Sequence, residues 1–280
     1  MDLVNSYLPL SREVGLLAAV THYFFAVAAF SLAGAFVWFL AAQKRVAPEH
    51  RAGMVLSAVI VGVAALSYFL MRGFYADALR AVAAAPDPAA ARRLERAAYF
   101  AVGQFRYMDW LITTPLLLLK TVLVLEVRPR ALWQALAVLL VADALMVFTG
   151  FIGEQQFTAA GAVDVPGRLF WGTVSSVFYL LVPLTLLYIY RRSGRDAHRW
   201  ERRAFKILAF ATVTTWGVYP LGYLVPAWLP GVSFNWIHIA FNVADVLNKV
   251  GAGVVVYIGA ARVLEDRVPK DRVQEAREVA

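Results

Sequence analysis

Cysteine is absent from this 280-residue chain, and charge is scarce, with Asp, Glu, Lys and Arg together making up only 16%. Without cysteine there is no disulfide framework, no thiolate metal site and no thiol nucleophile. The four histidines show no HExxH pattern and no His/carboxylate cluster at ligand spacing, which argues against a zinc enzyme. A glycine-rich phosphate loop and an internal repeat are also missing. Soluble domains carry about 25% charged and about 45–50% apolar residues, whereas hydrophobic residues reach 61% here. That much apolar surface cannot be enclosed in one soluble core, because the polar residues needed to cover it run out. What remains is a polytopic membrane protein.

A bilayer-spanning helix takes about 20 mostly apolar residues. Seven such stretches occur, at about 14–41, 53–75, 99–125, 131–152, 168–190, 205–228 and 235–262. The expected fold is therefore all-α, a single seven-transmembrane-helix bundle over 1–280. Connections are short except 76–98, an Ala- and Arg-rich segment with Pro-Asp-Pro at 86–88, expected as an ordered or partly helical outer loop. The beginning of the chain lacks the basic patch, short apolar core and cleavage site of a removable signal peptide. Net charge is +8, and most Lys and Arg fall in 42–52, 126–130, 191–206 and the C-terminal tail. The positive-inside rule then puts the N-terminus outside and the C-terminus in the cytoplasm. The basic run from Arg191 to Lys206 reads as a cytoplasmic loop, and no nucleic-acid partner is expected.

A charged side chain in hydrocarbon costs at least about 2.5–3.5 kcal/mol, so such residues usually mark a pathway or a cofactor partner. Six lie well inside the spans, more than three residues from either end: Arg106, Asp109, Lys120, Asp143, Asp245 and Lys249. Asp109 is one turn beyond Arg106, and Thr113 one turn beyond Asp109; Lys120 returns to the same face about three turns and about 16 Å later. Asp245 and Lys249 are one turn apart on the last span. Two carboxylates, a guanidinium and an ammonium thus form a neutral quartet at mid-membrane depth. A salt-bridge cluster that merely locks two helices is the plain alternative, but buried ion pairs are poor stabilisers. A mid-bilayer lysine flanked by aromatics is also a natural site for forming an imine with an aldehyde cofactor. Trp216, Tyr219 and Pro220 on the sixth span, with Tyr107 and Trp110 on the third, would make a sleeve for a long, flat, apolar molecule.

These motifs resemble the microbial rhodopsins, seven-helix retinal proteins. The third span reads Arg106-Tyr107-Met108-Asp109-Trp110-Leu111-Ile112-Thr113-Thr114-Pro115, similar to the counterion helix of bacteriorhodopsin. The sixth reads Trp216-Gly217-Val218-Tyr219-Pro220, and the seventh Asp245-Val246-Leu247-Asn248-Lys249, whose Asn248-Lys249 pair is closer to proteorhodopsins than to haloarchaeal proteins. The resemblance implies all-trans retinal on Lys249 as a protonated Schiff base, with Asp109 as primary counterion and proton acceptor and Asp245 as second counterion. It implies Arg106 on the extracellular side modulating the acceptor, Thr113 hydrogen-bonded near Asp109, and Tyr68 and Tyr219 in one network with both carboxylates. Trp110 and Trp216 would sandwich the polyene, with Thr114, Met146, Gly150, Ser175, Tyr219 and Pro220 around it. Leu117 implies green rather than blue absorption.

The chain also departs from the family pattern. Lys120 stands at the cytoplasmic donor position, where it either passes a proton inward or snorkels to the interface. Ser67 replaces the histidine that proteorhodopsins set against the counterion. The 225–236 connection has no carboxylate, which leaves His238, two turns before Asp245, and secondarily Glu154 as exit relays. Asp143 is expected to be structural. Gly172 falls where a bulky residue near the retinal ring is usual, and would open a side window for a carotenoid antenna. The function implied is a light-driven outward proton pump, an ion transporter rather than an enzyme, multi-pass in the plasma membrane. Its partners would be protons, membrane lipid and further copies in a homo-oligomer. A sensory photoreceptor and an inward pump remain alternatives.

Overall fold

The computed structural model describes residues 11–126, 129–159, 161–229 and 231–267. The connection at 127–128 and the tail after Arg267, on which part of the charge-asymmetry argument rests, lie outside the described residues. The chain is all-helical: α1 (Ser11–Val14), α2 (Leu16–Ala42), α3 (Arg51–Ala83), α4 (Pro88–Leu123), α5 (Pro129–Glu154), α6 (Val165–Ser193), α7 (Arg199–Thr214), α8 (Val218–Trp228) and α9 (Phe234–Arg267). Spans one to five are α2 to α6, α7 and α8 together make the sixth, and α9 the seventh.

Two local features differ from the sequence expectation. The segment 76–98, expected as an ordered or partly helical outer loop, is more helical than that: only 84–87 is outside a helix. Asp87 caps α4, its Oδ1 accepting from the backbone N–H groups of Ala89 and Ala90 at 2.8 Å each, and Pro88 takes the first helical position, where its missing N–H costs nothing. The Pro-Asp-Pro triplet is thus a helix start. The sixth span is broken into α7 and α8 by a 3-10 turn at Thr215–Gly217. Pro220 has no N–H to give the carbonyl four residues back, that of Trp216, so the regular ladder is interrupted there.

Among the described residues, six spans are long and apolar enough to cross a membrane by length and composition. The third, within α4, falls short of that measure, because Arg106, Asp109 and Lys120 dilute its apolar run. All three are buried, so the charge is turned into the bundle. Outward-facing positions carry exposed Phe30, Phe69, Phe210 and Leu221, as expected where lipid is the solvent. The α2–α3 and α5–α6 pairs pack along their lengths, and α9 lies against α2, α3, α4, α7 and α8. Close approach is purchased with glycine: a Cβ on Gly253 would run into the Phe39 ring and one on Gly222 into the Phe241 ring. One end of the bundle is tied by ion pairs, Arg199 to Asp266 at 2.9 Å and Glu49 to Arg267 at 2.5 Å, with His50 bonded to Glu201 at 2.9 Å.

Candidate functional site

The charges of α4 and α9 meet in the centre of the bundle. Lys249 Nζ donates to Asp109 Oδ2 in a close ion pair, and to Asp245 Oδ2 at 3.3 Å. Neither carboxylate nor the ammonium is more than 2% exposed. In a medium that offers no competing water, such a triad holds only because each charge faces its opposite.

The two carboxylates are held very differently. Asp245 accepts from the Tyr68 hydroxyl at 2.8 Å, the Tyr219 hydroxyl at 2.5 Å and the Trp110 indole N–H at 3.4 Å, besides Lys249. Asp109 accepts from Lys249 alone, and its Oδ1 has no partner among the described residues. Both expected tyrosines therefore serve Asp245. Thr113 sits beside Asp109 as anticipated, but its hydroxyl donates to the Asp109 backbone carbonyl at 2.9 Å.

Arg106 lies one turn from Asp109 towards the start of α4. Its Nη1 donates to the Tyr68 oxygen at 2.9 Å and its Nη2 to Asn242 Oδ1 at 2.6 Å, and its guanidinium carbon is 5.3–5.5 Å from the Phe25, Tyr68 and Phe241 ring centres. The Tyr68 hydroxyl thereby relays between Arg106 and Asp245. On the other flank, Asn248 donates to the Tyr219 oxygen at 3.0 Å and accepts from the Thr215 hydroxyl, tying α9 to the 3-10 break.

From this triad runs a cavity of about 410 Å³ between α4, α5, α6, α8 and α9. All the residues expected to hold the cofactor line it: Lys249, Trp110, Thr114, Leu117, Met146, Gly150, Ser175, Trp216, Tyr219 and Pro220. Ser175 is fixed by donating to the Met146 carbonyl at 2.8 Å. Thr114 reaches Asp143 Oδ2 at 2.8 Å, and Asp143 is fully buried outside the cavity wall. A lone buried amine in the wall of a mostly apolar, aromatic slot fits a long apolar aldehyde joined to that amine.

The cavity extends further than the sequence suggested. Tyr179, Tyr223 and Glu154 line it too, beside the expected Tyr107. Gly172 also lies in its wall, packed beside Tyr223: a Cβ there would meet Tyr223 Cε1 at 2.8 Å. Lys120 and His238 are not in the wall. Lys120 is fully buried, its Nζ without a hydrogen-bond partner among the described residues, and so does not snorkel to an interface in this structure. His238 is buried among the Phe25, Tyr75 and Tyr99 rings. Asn242, missed from sequence, had one signal: it stands three residues before Asp245, on the same helix face.

Comparison with known proteins bears on this geometry. Residues 18–263 match the profile of the family described as bacteriorhodopsin-like protein. The chain belongs to that family. It is 25% identical over 226 residues to the green-light absorbing proteorhodopsin of Gamma-proteobacterium EBAC31A08, covering 79% of this chain and 78% of that one. It is 29% identical over 230 residues to bacteriorhodopsin-II of Haloarcula marismortui, covering 82% and 83%. The crystal structure of Exiguobacterium sibiricum rhodopsin superposes with a TM-score of 0.73 at 26% identity, covering 88% of this chain and 97% of that one. This rhodopsin-family chain is a multi-pass membrane protein, of a kind typically found in the plasma membrane.

Proposed function

We propose that this protein is a light-driven outward proton pump that carries retinal on Lys249 and uses Asp109 as proton acceptor. Rhodopsin-family proteins bind retinal and include light-driven transporters, which supports reading the chain as a transporter rather than an enzyme. The observation that carries the reading is the unequal hold on the two carboxylates. Asp245, with four donors around it, is fixed as a permanent anion. Asp109, with Lys249 as its one donor and Oδ1 open, is free to take a proton.

Retinal, when bound, supplies light absorption and a light-driven change of shape at the Lys249 nitrogen. The chain does the rest. Asp109 Oδ2 lies where the proton on Nζ can reach it. Once Asp109 is neutral, Arg106 is left with Asp245 and Tyr68 as its electrostatic partners, which makes it the element through which the change is felt on its own side of the triad. The proton on Nζ must be replaced from the opposite side, where Lys120 is the buried basic group further along the same helix face. Outward transport puts Arg106 towards the exterior and Lys120 towards the cytoplasm, with the N-terminus outside.

The test is the light-induced pH change of an unbuffered suspension of cells making this chain with retinal. Acidification that a protonophore abolishes supports outward pumping; alkalinisation that it abolishes reverses the direction and the roles of the two sides. A coloured protein that moves no protons makes a sensory photoreceptor the better reading. Lys249→Ala should abolish visible absorption, and a coloured variant refutes the attachment site. A carotenoid antenna is left as an expectation. A homo-oligomer is left as an expectation.

A further inference from the structure

Away from the triad, the end of the bundle tied by the Arg199–Asp266 and Glu49–Arg267 pairs holds a second group of polar side chains around a cavity of about 320 Å³. Glu49 and His50 reach it from the 3-10 turn Pro48–His50, between α2 and α3, and Glu126 from the turn after α4. The first of these turns is anchored: the Ala47 N–H donates to the Ala260 carbonyl of α9 at 3.3 Å, and the His50 N–H to the Ala47 carbonyl at 2.9 Å. The remaining wall is apolar, from Ala52 and Gly53 of α3, Leu123 and Val124 at the end of α4, and Val256 of α9.

A ring nitrogen of His50 and one oxygen from each of the two glutamates lie within 4.8 Å of one another. Atoms bonded to one zinc ion at about 2.0–2.2 Å stand about 3.5 Å apart, so small side-chain rotations close the set. His50 is 4% exposed, and its Nε2 lies 2.9 Å from Glu201 Oε1. Glu201 Oε2 accepts from the His198 backbone N–H at 2.9 Å, so this carboxylate acts as an acceptor and Nε2 carries the hydrogen. Nδ1 then keeps its lone pair, and it has no hydrogen-bond partner among the described residues. A histidine whose other nitrogen is fixed on a carboxylate is the common form of a metal ligand, because that hydrogen bond sets the tautomer and orients the ring. The glutamates supply the matching charge. Arg267 takes Oε1 of Glu49 at 2.5 Å and leaves Oε2 open. Glu126 forms no ion pair among the described residues, and the groups acting on it are the Glu201 and Glu49 carboxylates and His50. A carboxylate serving only to tie helix ends would face a cation, and Glu126 faces two carboxylates instead.

We propose that Glu49, His50 and Glu126 form a binding site for a divalent transition-metal cation of the zinc class, with Glu201 holding the His50 ring in place. The donor set selects the metal: an imidazole nitrogen suits zinc, whereas magnesium and calcium take oxygen ligands. Three protein ligands leave a further position for water. The bound metal joins the start of α3 to the end of α4, two elements that the chain connects only through the far end of the bundle. The site does not depend on the pump reading.

The experiment uses the full chain without an affinity tag, purified in detergent with retinal, stripped with a chelator and titrated with zinc chloride by calorimetry. X-ray absorption at the zinc edge then reads the ligands of the loaded protein. Wild type should bind one zinc per chain, with one imidazole nitrogen at about 2.0–2.1 Å and oxygen for the remaining ligands. Glu126→Gln should weaken binding at least about tenfold, and His50→Gln should remove the imidazole signal. Glu265→Gln and His198→Gln alter a carboxylate and an imidazole outside the set, paired with Arg262 and Asp266, and should change neither readout. If His50→Gln fails to assemble, Glu126→Gln decides. The absence of saturable zinc binding, an all-oxygen shell, or an affinity indifferent to Glu126→Gln overturns the proposal. An imidazole signal that disappears in His198→Gln also overturns it, and moves the metal to His198 and Asp266.

Discussion

Replacing Tyr68 with Phe is the most direct probe of the network around the triad. The ring is fully buried and Phe keeps its volume, so packing is nearly unchanged. What disappears is one oxygen that donates to Asp245 at 2.8 Å and accepts from Arg106 at 2.9 Å. Hydrogen bonds to charged groups are worth about 1.5–3 kcal/mol each, and orphaning buried charges is the expensive direction of the change. Two such losses sum to about 3–6 kcal/mol, and the two share one hydroxyl, so the lower end, about 3 kcal/mol, is expected. Tyr75→Phe provides the control. That hydroxyl is also buried and donates to the neutral Asn235 side chain, where about 1 kcal/mol is expected. Unfolding of the detergent-solubilised protein by denaturant, followed by helical circular dichroism, measures both. A Tyr68→Phe cost no larger than that of Tyr75→Phe would refute the claim that Tyr68 bridges two charges.

Thr114→Val removes the only hydrogen bond to the Asp143 carboxyl group among the described residues, and should destabilise by about 1–3 kcal/mol in the same titration. Lys120→Met exchanges a fully buried, unpartnered amine for an apolar chain of similar length; stability should rise by about 1–3 kcal/mol, while the return of the ground-state colour after a flash slows. Glu126, in the turn after α4, has its carboxyl pushed above the usual range by partial burial and then by the Glu201 and Glu49 carboxylates. Its folded-state pKa therefore exceeds the unfolded one, so its burden on the fold is greatest above the folded pKa and vanishes below the unfolded value. Glu126→Gln should raise the bleaching temperature at neutral pH, with the advantage fading as the pH falls through the carboxylate range.

How much of this was legible beforehand follows from the physics of the signals. Asp109, Asp245 and Lys249 stand out because charge inside an apolar run is rare, and helical spacing alone puts the last two on one face. The cavity wall was legible because the motifs of α4, α8 and α9 and the chosen α5 and α6 residues all face inward. The sharing of donors was not, since nothing in spacing says that Tyr68 and Tyr219 would both choose Asp245. Arg168 was passed over because a charge at a span boundary looks like one that snorkels, yet it is fully buried. The break at Thr215–Gly217 was hidden because apolar composition runs straight through it, and the hairpin-like reach of α3 and α4 because Pro-Asp-Pro marks helix starts as well as turns.

The arrangement of charges also sets an order on synthesis. The third span is the one too polar to pass as a membrane helix on composition, and its charges find partners at very different times. Arg106 meets Tyr68, which precedes it by 38 residues and is already made when α4 emerges. Asp109 must wait for Lys249, 140 residues later. At about 5–20 residues per second that is a delay of roughly 7–28 s. Over that interval α3, with Tyr68 presented towards α4, is the partner that can keep the third span in place, so the first three spans form a holding unit that α9 later completes.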